Sequence, residues 1–109
     1  MRHVVKPLTE PVLLILISLA QGPQHGYALM KDIEALSEGR VRLSTGTLYG
    51  ALARLLDDGW IARFAQDDTS REKQAYRLTA TGRKHLNLEL ERMKGLTRAA
   101  AARLRASEV

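Results

Sequence analysis

The chain has no cysteine, one tryptophan, one phenylalanine and three tyrosines among its 109 residues. Without cysteine it forms neither a disulfide nor a thiolate metal site. Its histidines, His3, His25 and His85, stand on separate stretches with no metal-ligand spacing, and there is no glycine-rich phosphate loop or nucleophile elbow. No enzyme chemistry, metal or cofactor is therefore expected. The longest apolar run, Val12 to Ala20, is far shorter than the roughly 20 residues a membrane helix needs. It follows Arg2 and Lys6 and ends in Ser18-Leu19-Ala20, a small-x-small pattern like a signal-peptidase site. Glu10 and Pro11 at its mouth, behind a capping Thr9, suit a helix start better. The expectation is a cytoplasmic protein without membrane contact. Acid is also scarce: 12 Asp and Glu against 17 Lys and Arg give a net charge of +5. A small basic domain points to nucleic acid before acidic substrates.

What is present is organised around Ser44 to Asp58, followed by Gly59. Ser44 is a good N-cap and Gly59 a good C′ residue, which brackets a helix of about four turns. Leu48, Leu52, Leu55 and Leu56 recur at helical spacing, with Thr47, Gly50, Ala53, Arg54 and Asp57 on the far side. That outer side is small or polar, where an ordinary solvent-facing helix carries Lys and Glu. Gly46 and Gly50 each cost about 1 kcal/mol of helix propensity, which makes sense where another surface must approach the backbone. The hydroxyls of Ser44, Thr45, Thr47 and Tyr49 gather at the helix N-terminus, where the dipole favours an anion such as a phosphate. On this segment alone a glycine-rich core helix is the alternative.

Taken in order, residues 1 to 8 form a short basic arm. A first helix from about Glu10 to Ala20 stops at Gly22-Pro23 and is apolar nearly all round, so it is central to the core or shared with a partner subunit. A second, from about Gly26 to Ser37, has Tyr27, Leu29, Met30, Ile33 and Leu36 as its apolar stripe. The linker Arg40-Val41-Arg42-Leu43 leads into the Ser44 helix in helix-turn-helix order, so Arg40 and Arg42 flank it and lie well for backbone phosphates. After Gly59, Trp60 to Phe64 and Gln74 to Leu78 read as strands around a polar loop at 65–73. A hairpin directly after such a helix is the wing of a winged helix. The last segment, about Ala80 to Ala106, is a long helix capped by Thr79. Its Leu86, Leu90, Met93, Thr97, Ala100 and Leu104 follow steps of four and three, the seam of a coiled coil. Thr97 and Ala100 are weak knobs, so a dimer needs help from the first helix through Leu14 and Ile17. An intramolecular amphipathic helix is the alternative, but a helix this long overhangs so small a domain.

The segments His25-Gly26-Tyr27, Leu43 to Tyr49, Arg54-Leu55 through Gly59, and Tyr76 to Thr79 with Gly82-Arg83 together resemble the PadR family of transcriptional regulators, colinearly over nearly the whole chain. The resemblance implies a mainly α fold with a small β-hairpin: a winged helix-turn-helix over 1–79 and a C-terminal dimerisation helix over 80–109. It further implies that Ser44, Thr47 and Tyr49 meet DNA, and that Arg71 and Lys73 are basic wing contacts. Members often carry proline where this chain has Thr45 and Gly50, so the operator sequence is not transferable. The chain is similar to the short subgroup, in which the final helix dimerises.

The expected function is a dimeric, sequence-specific DNA-binding regulator, by default a repressor, on an inverted-repeat operator in double-stranded DNA. Arg54 suits a guanine or a phosphate equally. A small-molecule effector is left open and unidentified. Some short members hold a drug between aromatic side chains of the last helix; this last helix has none, so weak or no binding of flat aromatic drugs is expected there. The rival class is a winged helix that binds only protein, which would have no need of Arg40, Arg42, Arg71 and Lys73 together.

Overall fold

The computed structural model describes residues 7–64 and 74–108. The expected wing contacts Arg71 and Lys73, and the basic residues of the N-terminal arm, lie outside them.

Helix α1 spans Glu10–Ala20, with Thr9 as its N-cap and Pro11 in its first turn. Ile15, Leu16 and Leu19 are fully buried; burial of each such side chain contributes about 1.5–3 kcal/mol. The helix packs against α2 (Gly26–Leu36), β3 (Ala75–Leu78) and α4 (Ala80–Ser107). Contact on several sides is what an apolar run without a polar face requires, and the Val12 to Ala20 run is the centre of the core.

In α2, Leu29 and Ile33 point into the core. Tyr27 does not: it is 63% exposed, with Lys31 Nζ over its ring at 5.5 Å. The expected apolar stripe is corrected here because Tyr27 falls in helical register with Lys31 and Glu34, four and seven residues on. Leu36, in the last turn, is also exposed. The helix ends in a left-handed turn at Glu38 (φ +55°) followed by Gly39 (φ +80°), and the Gly39 N–H donates to the Glu34 carbonyl at 2.8 Å. This is the Schellman arrangement with glutamate where glycine is usual. Buried Ser37 knots the following turn, its hydroxyl accepting the Val41 N–H at 2.9 Å.

Helix α3 covers Thr45–Asp57, with the Ser44 hydroxyl accepting the Thr47 N–H. Leu48, Ala51, Leu52 and Leu55 are buried, and Leu56 is half-buried. At its end the Trp60 N–H donates to the Leu55 carbonyl and the Gly59 N–H to the Leu56 carbonyl, with Gly59 at φ +76°, so the predicted stop is a Schellman motif.

The expected hairpin is present as β2 (Ile61–Phe64) against β3, antiparallel, with Ile61 opposite Leu78 and Phe64 opposite Ala75. A third strand, β1 (Gln24–His25), pairs with the other edge of β3, giving the order β1-β3-β2. Two residues beside Gly22-Pro23 are too few to show a strand period. Trp60 and Gln74 lie just outside the strands.

Thr79 caps α4 and ties it to the end of α3. Its N–H donates to the Trp60 carbonyl at 3.0 Å, its hydroxyl donates to the Gly59 carbonyl at 2.6 Å, and the same Thr79 hydroxyl accepts the Gly82 N–H at 3.0 Å. A Cβ on Gly82 would overlap the Trp60 carbonyl oxygen. The Trp60 ring stacks on His85, with centroids 4.1 Å apart. Farther along, buried Glu89 accepts from Arg92 through both carboxylate oxygens at 2.8 Å and from the Leu8 N–H at 3.2 Å. These partners, Arg92 first, hold its pKa below the ordinary carboxylate value against the opposing effect of burial.

Candidate nucleic-acid interface

Apart from Arg54 in its last turn, the outer face of α3 is built from residues with little side chain. Ser44, Thr45, Gly46, Thr47, Gly50, Ala53 and Arg54 are all exposed, and among the described residues nothing beyond the helix's own backbone and chain neighbours lies within 4 Å of a Cβ built on Gly46 or Gly50. At the helix start the Ser44 hydroxyl donates to the Thr47 hydroxyl at 2.9 Å while accepting the Thr47 N–H. The two hydroxyls are thereby fixed relative to each other at the positive end of the helix dipole. Arg54, in the last turn, makes no ion pair among the described residues and is solvent-directed.

Tyr49 is placed differently from these. It is half-buried, and its hydroxyl lies against Gly26 at the start of α2, where a Cβ at position 26 would overlap it. The tyrosine that sequence reading puts on the reading face is therefore also a packing element between α2 and α3.

Both linker arginines are engaged by acids of the same chain. Arg40 makes a two-pronged pair with Glu10 of α1, which lowers the Glu10 pKa chiefly by hydrogen bonding. Arg42 Nε lies 3.2 Å from Glu34 of α2. Sequence reading missed these partners because they lie 30 and 8 residues away with no local pattern. It also passed over Arg63 of β2, which is exposed beside α3 and donates to Gln74 at 3.0 Å. Its signal was a lone basic residue inside a short strand.

Of the expected pairing residues, Leu14 and Leu86 are packed in the chain's own core, and Ile17 is half-buried. Leu90 is 36% exposed, Met93 39% and Leu104 67%. Thr97 and Ala100 are exposed on the same helix. Leu96, at 58% exposure, adds to this apolar surface although it lies off the predicted seam. Among the described residues no helix is long and apolar enough to cross a membrane.

Comparison with known proteins agrees with this architecture. Residues 15–88 match the Transcriptional regulator PadR-like family. An uncharacterized 37.1 kDa protein in transposon TN4556 of Streptomyces fradiae is 39% identical over 85 residues, which are 78% of this chain. The chain spans only 23% of that protein's length. A PadR family transcription regulator from Clostridium difficile superposes with a TM-score of 0.72 at 21% identity, covering 88% of this chain and 99% of the other. At that identity the likeness is one of fold. Bacillus subtilis PadR, solved in complex with operator DNA, superposes with a TM-score of 0.65 at 26% identity over 78% of this chain and 48% of its own. With the match covering most of its length, the chain belongs to the PadR-like family of transcriptional regulators.

Proposed function

We propose that this protein is a homodimeric, cytoplasmic repressor that binds double-stranded DNA sequence-specifically at an inverted-repeat operator. The observation that carries the reading is the outer face of α3, whose exposed residues before Arg54 are small or hydroxylated and leave the backbone open at Gly46 and Gly50. Such a face admits the edge of a base pair or a sugar-phosphate strand close to the helix axis. Ser44, Thr45 and Thr47 supply donors and acceptors there, Arg54 offers a charged contact in the last turn, and Tyr49 is a further contact in this reading. Arg71 and Lys73 are the wing contacts in this reading, with Arg40 and Arg42 beside the backbone. The capture of Bacillus subtilis PadR on operator DNA lends the reading support from a relative.

Two copies related by a two-fold axis would set their α3 helices into major grooves about 34 to 36 Å apart. The distal apolar residues of α4, Leu90, Met93, Thr97, Ala100 and Leu104, with Ile17 of α1, form the pairing surface in this proposal. Leu14 and Leu86 contribute by shaping the core beneath it. Effector binding remains part of the proposal only as an unidentified small molecule.

The test is binding of the purified protein to its own upstream DNA and to a scrambled duplex across a salt series. Tight binding to the first, with weaker and steeply salt-dependent binding to the second, is expected. Equal weak binding to both would remove the reading role of α3 and favour a winged helix that binds protein.

A further inference from the structure

Arg40 and Arg42 stand four and two residues before the α3 N-cap Ser44, where a bound duplex would place its backbone. Both guanidinium groups already have a carboxylate. Glu10, at the first turn of α1, is held beside the Thr9 cap and grips Arg40 with both oxygens. Glu34 meets Arg42 from α2, and the Arg42 side chain folds back over Gly39, its Nη2 lying 3.8 Å from a Cβ built there. A carboxylate and a phosphate present the same pair of anionic oxygens to the guanidinium fork. Each guanidinium keeps free N–H donors, but its charge is already countered, and a phosphate brought to those donors also meets the carboxylate's negative charge.

We propose that Glu10 and Glu34 are affinity-setting residues that counter the charges of Arg40 and Arg42, Glu10 across both terminal nitrogens and Glu34 at Nε, so that these arginines add fully to duplex affinity only where a phosphate displaces the carboxylate. The inference rests on the DNA-binding reading above. A neutralised arginine releases no counterion from DNA, so the four paired side chains leave the protein's backbone affinity below what its basic count suggests. Because the pairs are exposed, with side-chain exposures of 63% and 43% for Arg40 and Glu10 and 75% and 48% for Arg42 and Glu34, they are exchangeable rather than locked.

The experiment measures binding to the scrambled duplex and to the upstream DNA, across salt, for the wild type and for Glu10→Gln, Glu34→Gln and Glu38→Gln. Glu38 lies in the same turn, is exposed and makes no ion pair among the described residues, so its variant changes net charge equally. Glu10→Gln and Glu34→Gln are expected to tighten scrambled-duplex binding by about 3- to 10-fold and to steepen the salt slope by about 0.9 for each arginine released. Glu38→Gln should do less and leave the slope unchanged. In an Arg40→Gln background the gain from Glu10→Gln should vanish. If Glu10→Gln and Glu34→Gln match Glu38→Gln, or if the gain survives Arg40→Gln, the counter-charge role is overturned while specific operator binding by the wild type still stands. Should no form bind either duplex at low salt, the DNA-binding reading fails and this inference with it.

Discussion

The Tyr49 hydroxyl occupies the space that a side chain on Gly26 would need. Two short sequence motifs, the His25-Gly26-Tyr27 turn and the Gly46 to Tyr49 helix start, are thus two halves of one contact between α2 and α3. Glycine at position 26 lets the ring end close against the α2 backbone, and that closure fixes the angle at which α3 leaves the core.

Gly26→Ala should lower stability by about 1–3 kcal/mol, the usual cost of forcing extra volume into packed space. In a Tyr49→Phe background the loss should shrink, since the hydroxyl is the atom the new methyl meets first. Chemical denaturation of the four proteins gives the coupling directly. An identical loss in both backgrounds would show that another constraint at position 26 governs.

Gly82 and Gly50 should respond in opposite directions to alanine. At Gly82 the methyl meets a backbone carbonyl, that of Trp60, which is itself held by Thr79 and has nowhere to move. We expect a loss of about 3 kcal/mol or more despite the roughly 1 kcal/mol gain in helix propensity. Gly50→Ala meets nothing and should raise stability by about 1 kcal/mol. In the proposed complex the same methyl stands between α3 and the groove, so operator affinity should fall as the melting temperature rises. A stabilised variant with undiminished operator affinity would place the DNA on another surface.

Glu38 adopts a left-handed conformation (φ +55°) that costs a side-chain-bearing residue about 1–2 kcal/mol. Glu38→Gly should therefore stabilise the domain by about 1 kcal/mol, with the Schellman hydrogen bond at Gly39 retained. Thermal melts at neutral pH check this. A lower melting temperature would mean that the glutamate side chain contributes more than its backbone strain takes away.

Acid should loosen the tie between α4 and the start of α1. The Glu89 pKa is depressed from its ordinary value of 4.5 in the folded state by Arg92, with a further contribution from the Leu8 N–H. Its contribution is fully present above the unfolded pKa and is lost as pH falls through the lower folded value. Melting temperature should therefore drop more steeply below about pH 4.5 in the wild type than in Glu89→Gln. Parallel curves over that range would assign the acid sensitivity to other carboxylates.

In the proposed dimer, charge placed on the distal part of α4 should separate the two copies without unfolding them. Met93 and Leu104 are exposed in the protomer, so Met93→Glu with Leu104→Glu leaves its core intact. Sedimentation should report a dimer for the wild type and a monomer for the double variant, with an unchanged far-UV spectrum. A wild-type monomer, or a dimer that survives both changes, would remove this face from the assembly.

The elements legible in sequence were those whose ends carry their own chemistry. Thr9, Ser44 and Thr79 each cap a helix with a hydroxyl, Gly22-Pro23 stops α1 and Gly59 closes α3, and the start of α2 at Gly26, where no side chain caps, was read as well, so the helix ends were readable to within a residue. The hairpin strands announced themselves by β-branched and aromatic content. Strand β1 did not, because its two residues are a strand only through pairing with Tyr76 and Ala75. The outer face of α3 was readable as a surface poor in long side chains. The engagement of Arg40 and Arg42 was not, since a basic linker looks the same whether its charges face solvent, phosphate or a carboxylate from another helix. Tyr27 misled for a related reason: an aromatic residue near an apolar stripe is assigned to it unless the register with Lys31 and Glu34 is followed instead.

The joint at Thr79 gives α4 the geometry of a lever. Its fulcrum is the Trp60 carbonyl, gripped by the Thr79 N–H and pressed by Gly82, and the short arm is the end of α3, reached through the Gly59 carbonyl. Buried Leu86 and the tie from Glu89 to the Leu8 N–H clamp the first turns of the helix, so the arm that projects is the part from 90 to 107, about 27 Å at 1.5 Å per residue. Rotation of about 5° moves its tip by about 2 Å. Movement at the tip reaches α3 only through those clamped turns, which makes the attitude of α3 insensitive to it.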